Sequence, residues 1–167
     1  KVIKYAREKK IPFLGICLGM QLLVIEYARN CAGLKEASSE EFDEKSNSSE
    51  DHLIYHLSKW IKDQKVEIRS KVQNKGGTMR LGAYPAKIKK GTMAYSIYKK
   101  AIVSERHRHR FEVNVSYQEA LEDNGLTFSG FSQDGLLPEV VELSSHPFFL
   151  GVQFHPELKS KPFEPHP

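Results

Sequence analysis

The sequence predicts an α/β domain with helices on both sides of a sheet. Three observations carry that expectation. A short apolar run ending at Ile16 turns at once into a helix-like run, the second half of the chain holds a succession of short β-branched and aromatic runs, and brief helical stretches are set among them. The 167 residues, 40% hydrophobic and 28% charged, suit a single globular domain with a sizeable core. No internal repeat or second domain is visible.

Residues 1–10, KVIKYAREKK, set Val2, Ile3, Tyr5 and Ala6 among charges, like the last turns of an amphipathic helix. No N-cap precedes them, so an upstream segment of the same domain is expected to be missing. Residues 11–16 suit a buried parallel strand. Over residues 18–28, Leu18, Leu22, Leu23, Ile25 and Ala28 recur at helical spacing. Residues 38–51, SSEEFDEKSNSSED, are acidic and serine-rich and read as a surface loop. Residues 52–61 fit either a short helix or a strand around Leu53, Ile54, Leu57 and Trp60. Residues 66–72 alternate as a strand with Val66, Ile68, Ser70 and Val72 on one face. Residues 76–82, GGTMRLG, read as a loop whose glycines permit close backbone approach. Strands are expected at 83–89, 101–104, 111–115, 126–132, 139–143 and 149–154, with a short helix at 117–122 before a DNG turn.

Several function classes are disfavoured by composition. No run nears the ~20 apolar residues that span a bilayer, and the start is unlike a signal peptide, so no membrane role is expected. Two cysteines, Cys17 and Cys31, are too few for a disulfide framework, which points to free thiols in the cytoplasm. A net charge of +4 invites nucleic acid, yet the lysines are spread along the chain rather than gathered on one aromatic-lined face. Nucleic acid is therefore not the expected partner.

Cys17 stands where the strand becomes the helix, flanked by Gly15 and Gly19, which leave room for a strained turn as in the G-x-S-x-G elbow of hydrolases. Amides and the positive dipole end of the helix N-terminus favour a thiolate there. A thiolate nucleophile needs an oriented imidazole. GVQFHPEL, residues 151–158, supplies one: His155 ends a strand, and Pro156 stiffens the turn that brings Glu157 beside it. The chemistry implied is acyl transfer through a thioester. A lone buried cysteine is more often inert packing, and a lone His-Pro-Glu more often a surface turn. Their joint occurrence is much rarer by chance.

GICLGMQ and GVQFHPE together resemble the class I, triad-type glutamine amidotransferases, and GGTMRLG with ERHRHRFEVN is similar to the glutamine-hydrolysing domain of the CTP synthases. The resemblance covers nearly the whole chain. It implies a flavodoxin-like sandwich with a central, mostly parallel sheet, incomplete at its N-terminus. It further implies Cys17 as nucleophile, His155 as general acid/base, Glu157 as its orienting carboxylate and the Leu18 amide as an oxyanion donor. Gln21, Glu41 and Arg110 match positions that hold the polar ends of L-glutamine. Ammonia would pass to a synthase domain of the same polypeptide, which uses ATP and magnesium to convert UTP to CTP, with GTP as effector and a tetramer as the assembly. No cofactor is implied for the domain itself. Arg69 and Arg80, around the GGTMRLG lid, are candidates for the GTP response. An upstream glycine-rich loop, which gives the family a second oxyanion amide, does not occur in these residues.

Plainer readings stand beside these. Glu41 lies in an acidic loop where most carboxylates are simply solvated, and Gln21 would also serve as packing. In RHRHR a period-two strand puts Arg106, Arg108 and Arg110 on one face and His107 and His109 on the other, which suits a pocket wall at least as well as a phosphate patch. For the whole chain the alternatives are a regulatory scaffold that has lost turnover and a nucleic-acid module built on RHRHR.

Overall fold

The computed structural model describes residues 1–42, 52–56, 59–62, 65–68 and 79–167. In chain order the elements are α1 (Val2–Glu8), β1 (Phe13–Ile16), α2 (Leu18–Asn30), β2 (Ile54–His56), β3 (Lys59–Lys62), β4 (Lys65–Ile68), β5 (Arg80–Ile88), α3 (Met93–Tyr98), β6 (Ile102–His109), β7 (Phe111–Val113), α4 (Gln118–Glu122), β8 (Thr127–Ser132), β9 (Pro138–Glu142) and β10 (Phe149–Val152). Short 3-10 turns occupy Val115–Tyr117 and Pro156–Leu158.

The main sheet has six strands in the order β1-β10-β9-β8-β5-β6, with the pairs β2-β7 and β3-β4 beside it. Only β1 and β10 run parallel; the other neighbours in the main sheet are antiparallel. The α/β class therefore stands, while the expectation of a mostly parallel sheet is corrected. A parallel pair needs a crossover of a dozen or more residues. The links at 133–137 and 143–148 are too short for one, so β8, β9 and β10 fold back as hairpins.

Strand alternation divides the core between two faces. On one face Phe128, Val141 and Phe149 pack with Ala6 of α1, Leu121 of α4 and the Met20, Leu23, Val24 stripe of α2. On the other, Val140, Leu150 and Val152 pack with Ala86, Ile88 and Ala94 of α3. Phe149 is wholly buried, and its truncation to alanine should cost about 3–5 kcal/mol. Pro85 falls in the part of β5 that pairs with β6 alone, because β8 joins only from Ala86 onward. A strand tolerates the missing N–H there.

Several local expectations change. The ambiguous stretch 52–61 holds strands at Ile54–His56 and Lys59–Lys62. Arg80, Leu81 and Gly82 of GGTMRLG belong to β5 rather than to a loop, while its first three residues lie outside the described ones. Of the loop at 38–51, Ser39 is buried and bridges Ile54, and residues 43–51 lie outside the description. The face pattern expected over 66–72 also lies outside it. Helix α3 has no counterpart in the sequence reading. Thr92 caps it locally, but Glu142 of β9 accepts from the Met93 and Ala94 N–H groups at 2.6 and 3.0 Å, a cap that local sequence cannot reveal. No helix among the described residues is long and apolar enough to cross a membrane.

Candidate active site

Cys17 sits between β1 and α2 with φ 52° and ψ −104°, a conformation sparsely populated by L-residues. Its N–H is held by the Val152 carbonyl at 2.7 Å, which continues the parallel β1–β10 pairing into the bend. The first turn of α2 lies directly on this pair. A Cβ on Gly15 would come within 2.7 Å of the Gly19 backbone, and one on Gly151, the register partner of Gly15, would meet Val141 and Met20 at 3.0 and 3.1 Å. Gly15 is thus sterically required. A Cβ on Gly19 would meet open space, so of the two flanking glycines only the first makes room through its missing side chain.

The Leu18 N–H reaches the Cys17 sulfur, and so does the Gln153 side chain, with Nε2 3.6 Å from Sγ. These donors do not produce a resting thiolate. Burial pushes the Cys17 thiol up to about 11, and the charges of Glu112 and Glu157 add to it, outweighing the Leu18 and Gln153 N–H groups. Burial thus opposes the thiolate that the helix N-terminus favours, so removal of the thiol proton calls for a base.

The candidate base stands two residues beyond Gln153. His155 follows β10, and its backbone N–H is anchored to the Arg106 carbonyl at 2.8 Å, because the sheet curls until β6 meets the segment after β10. Its Nδ1 bonds Glu157 Oε1 at 2.5 Å. Its Nε2 is buried and has no partner among the described residues. An imidazole fixed at one nitrogen by a carboxylate and open at the other has the geometry of a general base. The Glu157 carboxylate is half exposed, so the site opens to solvent on that side.

The other sequence candidates fall in two groups. Gln21, one turn into α2, is buried and donates from Nε2 to the Phe111 carbonyl at 3.0 Å and to Gln153 Oε1 at 3.2 Å. Arg110, half-buried, immediately precedes Phe111. Glu41 is exposed in the turn after Ser39, whose segment runs along β2, and β2 in turn pairs with β7. Gln21 thus ties the elbow helix to β7, the strand that Arg110 precedes and that β2 pairs with. Of the two candidates for a GTP response, only Arg80 can be placed. Arg69 lies outside the described residues. Arg80 is 3% exposed, and its guanidinium bonds Glu112 at 3.0 Å and Glu139 at 2.6 Å, so reading it as an exposed lid cation is corrected. A strand, not a loop, carries it, and alternation turns it inward.

Arg80 centres a closed polar cluster. His107 Nδ1 and His109 Nε2 are 2.8 Å apart, His107 faces Glu139, and His109 faces Glu112. Burial, and then the Arg80 charge, keeps both imidazoles neutral, with His109 pushed down to about 3. Burial likewise pushes Glu112 up to about 8 against the pull of Arg80, and Glu139 moves the same way. The RHRHR alternation holds over β6, with Arg106 and Arg108 outward and His107 and His109 inward.

Sequence reasoning missed Gln153, Glu112 and Glu139. The signal was available for Gln153. It is a polar residue inside the apolar run GVQF, and a buried carboxamide must find partners.

Comparisons with known proteins agree with this geometry. The profile of the class-I glutamine amidotransferases matches residues 1–167. The chain is 57% identical over its full length to a CTP synthase of Cereibacter sphaeroides, covering 31% of that protein. It is 58% identical over 99% of its length to the CTP synthase of Zymomonas mobilis, covering 30% of it. The chain thus spans about a third of the length of these curated relatives. Among solved structures, the glutaminase domain of Trypanosoma brucei CTP synthase with bound acivicin matches with a TM-score of 0.77 at 40% identity, over 98% of this chain and 59% of that one. An elbow cysteine and a His–Glu pair just past the end of a neighbouring strand, in a fold that matches this neighbour and under a profile spanning every residue, leave one conclusion: the chain belongs to the class-I glutamine amidotransferase family.

Proposed function

We propose that residues 1–167 form the glutaminase domain of a CTP synthase. The observations that carry the reading are the strained Cys17 elbow and a His155 whose Nδ1 is held by Glu157 and whose Nε2 is unpaired among the described residues. L-Glutamine enters with its side-chain carbonyl at the Leu18 N–H. His155 takes the Cys17 proton as the sulfur attacks the amide carbon, and the Leu18 N–H stabilises the oxyanion that forms. His155 then gives that proton to the leaving nitrogen, which departs as ammonia and leaves a γ-glutamyl thioester on Cys17. Water, deprotonated by His155, attacks the thioester, and glutamate leaves as the sulfur regains a proton. Glu157 keeps the imidazole in the required tautomer. Glu41 offers a carboxylate to the substrate ammonium and Arg110 a guanidinium to its α-carboxylate, while Gln21 has only its carbonyl left to offer.

The ammonia serves a synthase domain elsewhere in the full protein, where ATP and magnesium activate UTP for amination to CTP. GTP as effector, a homotetramer and a cytoplasmic location belong to the same proposal, supported by similarity to the CTP synthases. The test is ammonia release from L-glutamine by the full-length protein. The expected result is turnover that falls to background in Cys17→Ala. Turnover retained in that variant, or absent from the wild type, would defeat the reading.

A further inference from the structure

Two carboxamides, Gln21 and Gln153, sit behind the Cys17 sulfur, and their orientation follows from their surroundings. The Phe111 carbonyl can only accept, so the Gln21 atom 3.0 Å from it must be the nitrogen. That nitrogen has a second N–H, which points to the Gln153 oxygen at 3.2 Å. Gln153 must then turn its own nitrogen the other way, toward Cys17 Sγ at 3.6 Å. The Gln153 backbone N–H is also held, by the Glu139 carbonyl at 2.9 Å, and the residue is completely buried, so its placement has little freedom.

We infer that Gln153 is a catalytic hydrogen-bond donor to the Cys17 sulfur and that Gln21 is the positioning residue that aims it, the two forming a carboxamide relay anchored on the Phe111 carbonyl. The inference deepens the glutaminase reading and rests on it for its role in turnover. A neutral thiol accepts a hydrogen bond weakly, and a thiolate accepts one strongly. The Gln153 N–H therefore strengthens as His155 removes the proton, which is when help is needed. A carboxamide cannot take the proton itself, so it does not compete with His155. The same donor favours sulfur as leaving group when water attacks the thioester. The relay thus works against the burial that holds the resting thiol protonated.

The test reads the thiol directly and needs no glutamine. In the full-length protein, alkylation of Cys17 by iodoacetamide is followed by peptide mass across pH, with Cys31 as internal reference. Gln153→Met removes the donor at nearly constant volume and should slow Cys17 alkylation at pH 8 by about three- to tenfold, with the profile displaced to higher pH. Gln21→Met should act in the same direction but less, because the Gln153 carboxamide loses its aim. Gln153→Glu should be slowest, since a carboxylate then faces the developing anion. An unchanged profile in a folded Gln153→Met protein would overturn the inference, as would a slow Gln21→Met beside an unaffected Gln153→Met. If the Met variant does not fold, side-chain ¹⁵N-glutamine labelling of the wild type decides. A Gln153 NH₂ resonance that moves on Cys17 alkylation supports the relay, and one that stays put refutes it. Slowed Cys17 alkylation in Gln153→Met beside a wild type that fails to hydrolyse glutamine would sink the glutaminase reading alone, whereas normal wild-type turnover with an unchanged Gln153→Met alkylation profile would sink the relay alone.

Discussion

Two groupings in this chain use the same residue types and come out as opposites. At the rim, His155 meets one carboxylate, half open to solvent, and keeps Nε2 unpaired among the described residues. In the interior, His107 and His109 meet two fully buried carboxylates that already share Arg80, and burial beside that cation keeps both rings neutral. A histidine beside a carboxylate thus has an open ring nitrogen near the surface in one place and is a packing element in the other. The difference lies in the fixed positive charge and in access to water, not in the pair itself. The two groupings still touch electrically, since the Glu112 charge is one of the causes that raise the Cys17 thiol.

The comparison can be broken from either side. The largest expected effect is on turnover: His155→Ala should lower glutamine hydrolysis by about three orders of magnitude or more, measured as ammonia release, while thermal stability hardly moves. Next, Arg80→Met strands two buried carboxylates and should cost about 3–5 kcal/mol in a denaturant titration. A stability within error of the wild type would show that the interior cluster is not held together by its cation. Third, Gly15→Ala forces a methyl to within 2.7 Å of the Gly19 backbone. It should cost about 1–3 kcal/mol and also slow Cys17 labelling, because the elbow moves. Fourth, Cys17→Gly should abolish turnover yet raise stability by about 1 kcal/mol, since glycine accepts a φ of 52° that cysteine resists. No gain in melting temperature would argue against strain at the elbow.

The smallest effect is with pH. The folded chain raises the Cys17 thiol from 9.0 to about 11 and raises the Tyr98 hydroxyl above its ordinary 10.0, both chiefly by burial. Each folded group holds its proton longer than the unfolded one. The stability associated with Cys17 is fully present below about pH 9 and is lost as pH rises through 11, whereas that associated with Tyr98 begins to fall only above pH 10. Melting temperature should decline over that window, and less steeply in Cys17→Ser. Identical slopes for the two proteins would contradict the assignment to Cys17.

What the sequence made legible was local. The elbow is read from glycine spacing and a change of period within residues 11–28, and the His155–Glu157 pair from two residues bracketing a proline. The alternation of β6 was also visible, including which histidines share a face. What the inward face meets was not visible, because Glu112, Glu139 and Arg80 come from three other strands. Arg80 looked like a lid cation because glycines precede it, yet strand pairing with His109 makes it interior. Helix α3 was missed because its strongest cap is Glu142, far along the chain. The parallel sheet was inferred from resemblance, and the short hairpin links argued against it all along.

The central claim is that Cys17 attacks a glutamine-shaped carbonyl with His155 as its base. A diazo-ketone glutamine analogue tests this most directly, with intact mass and peptide mapping as the readout. The account predicts one added mass per chain, located on Cys17, absent in Cys17→Ala and strongly slowed in His155→Ala. Label on Cys31, or labelling of Cys17 at an undiminished rate without His155, would contradict it.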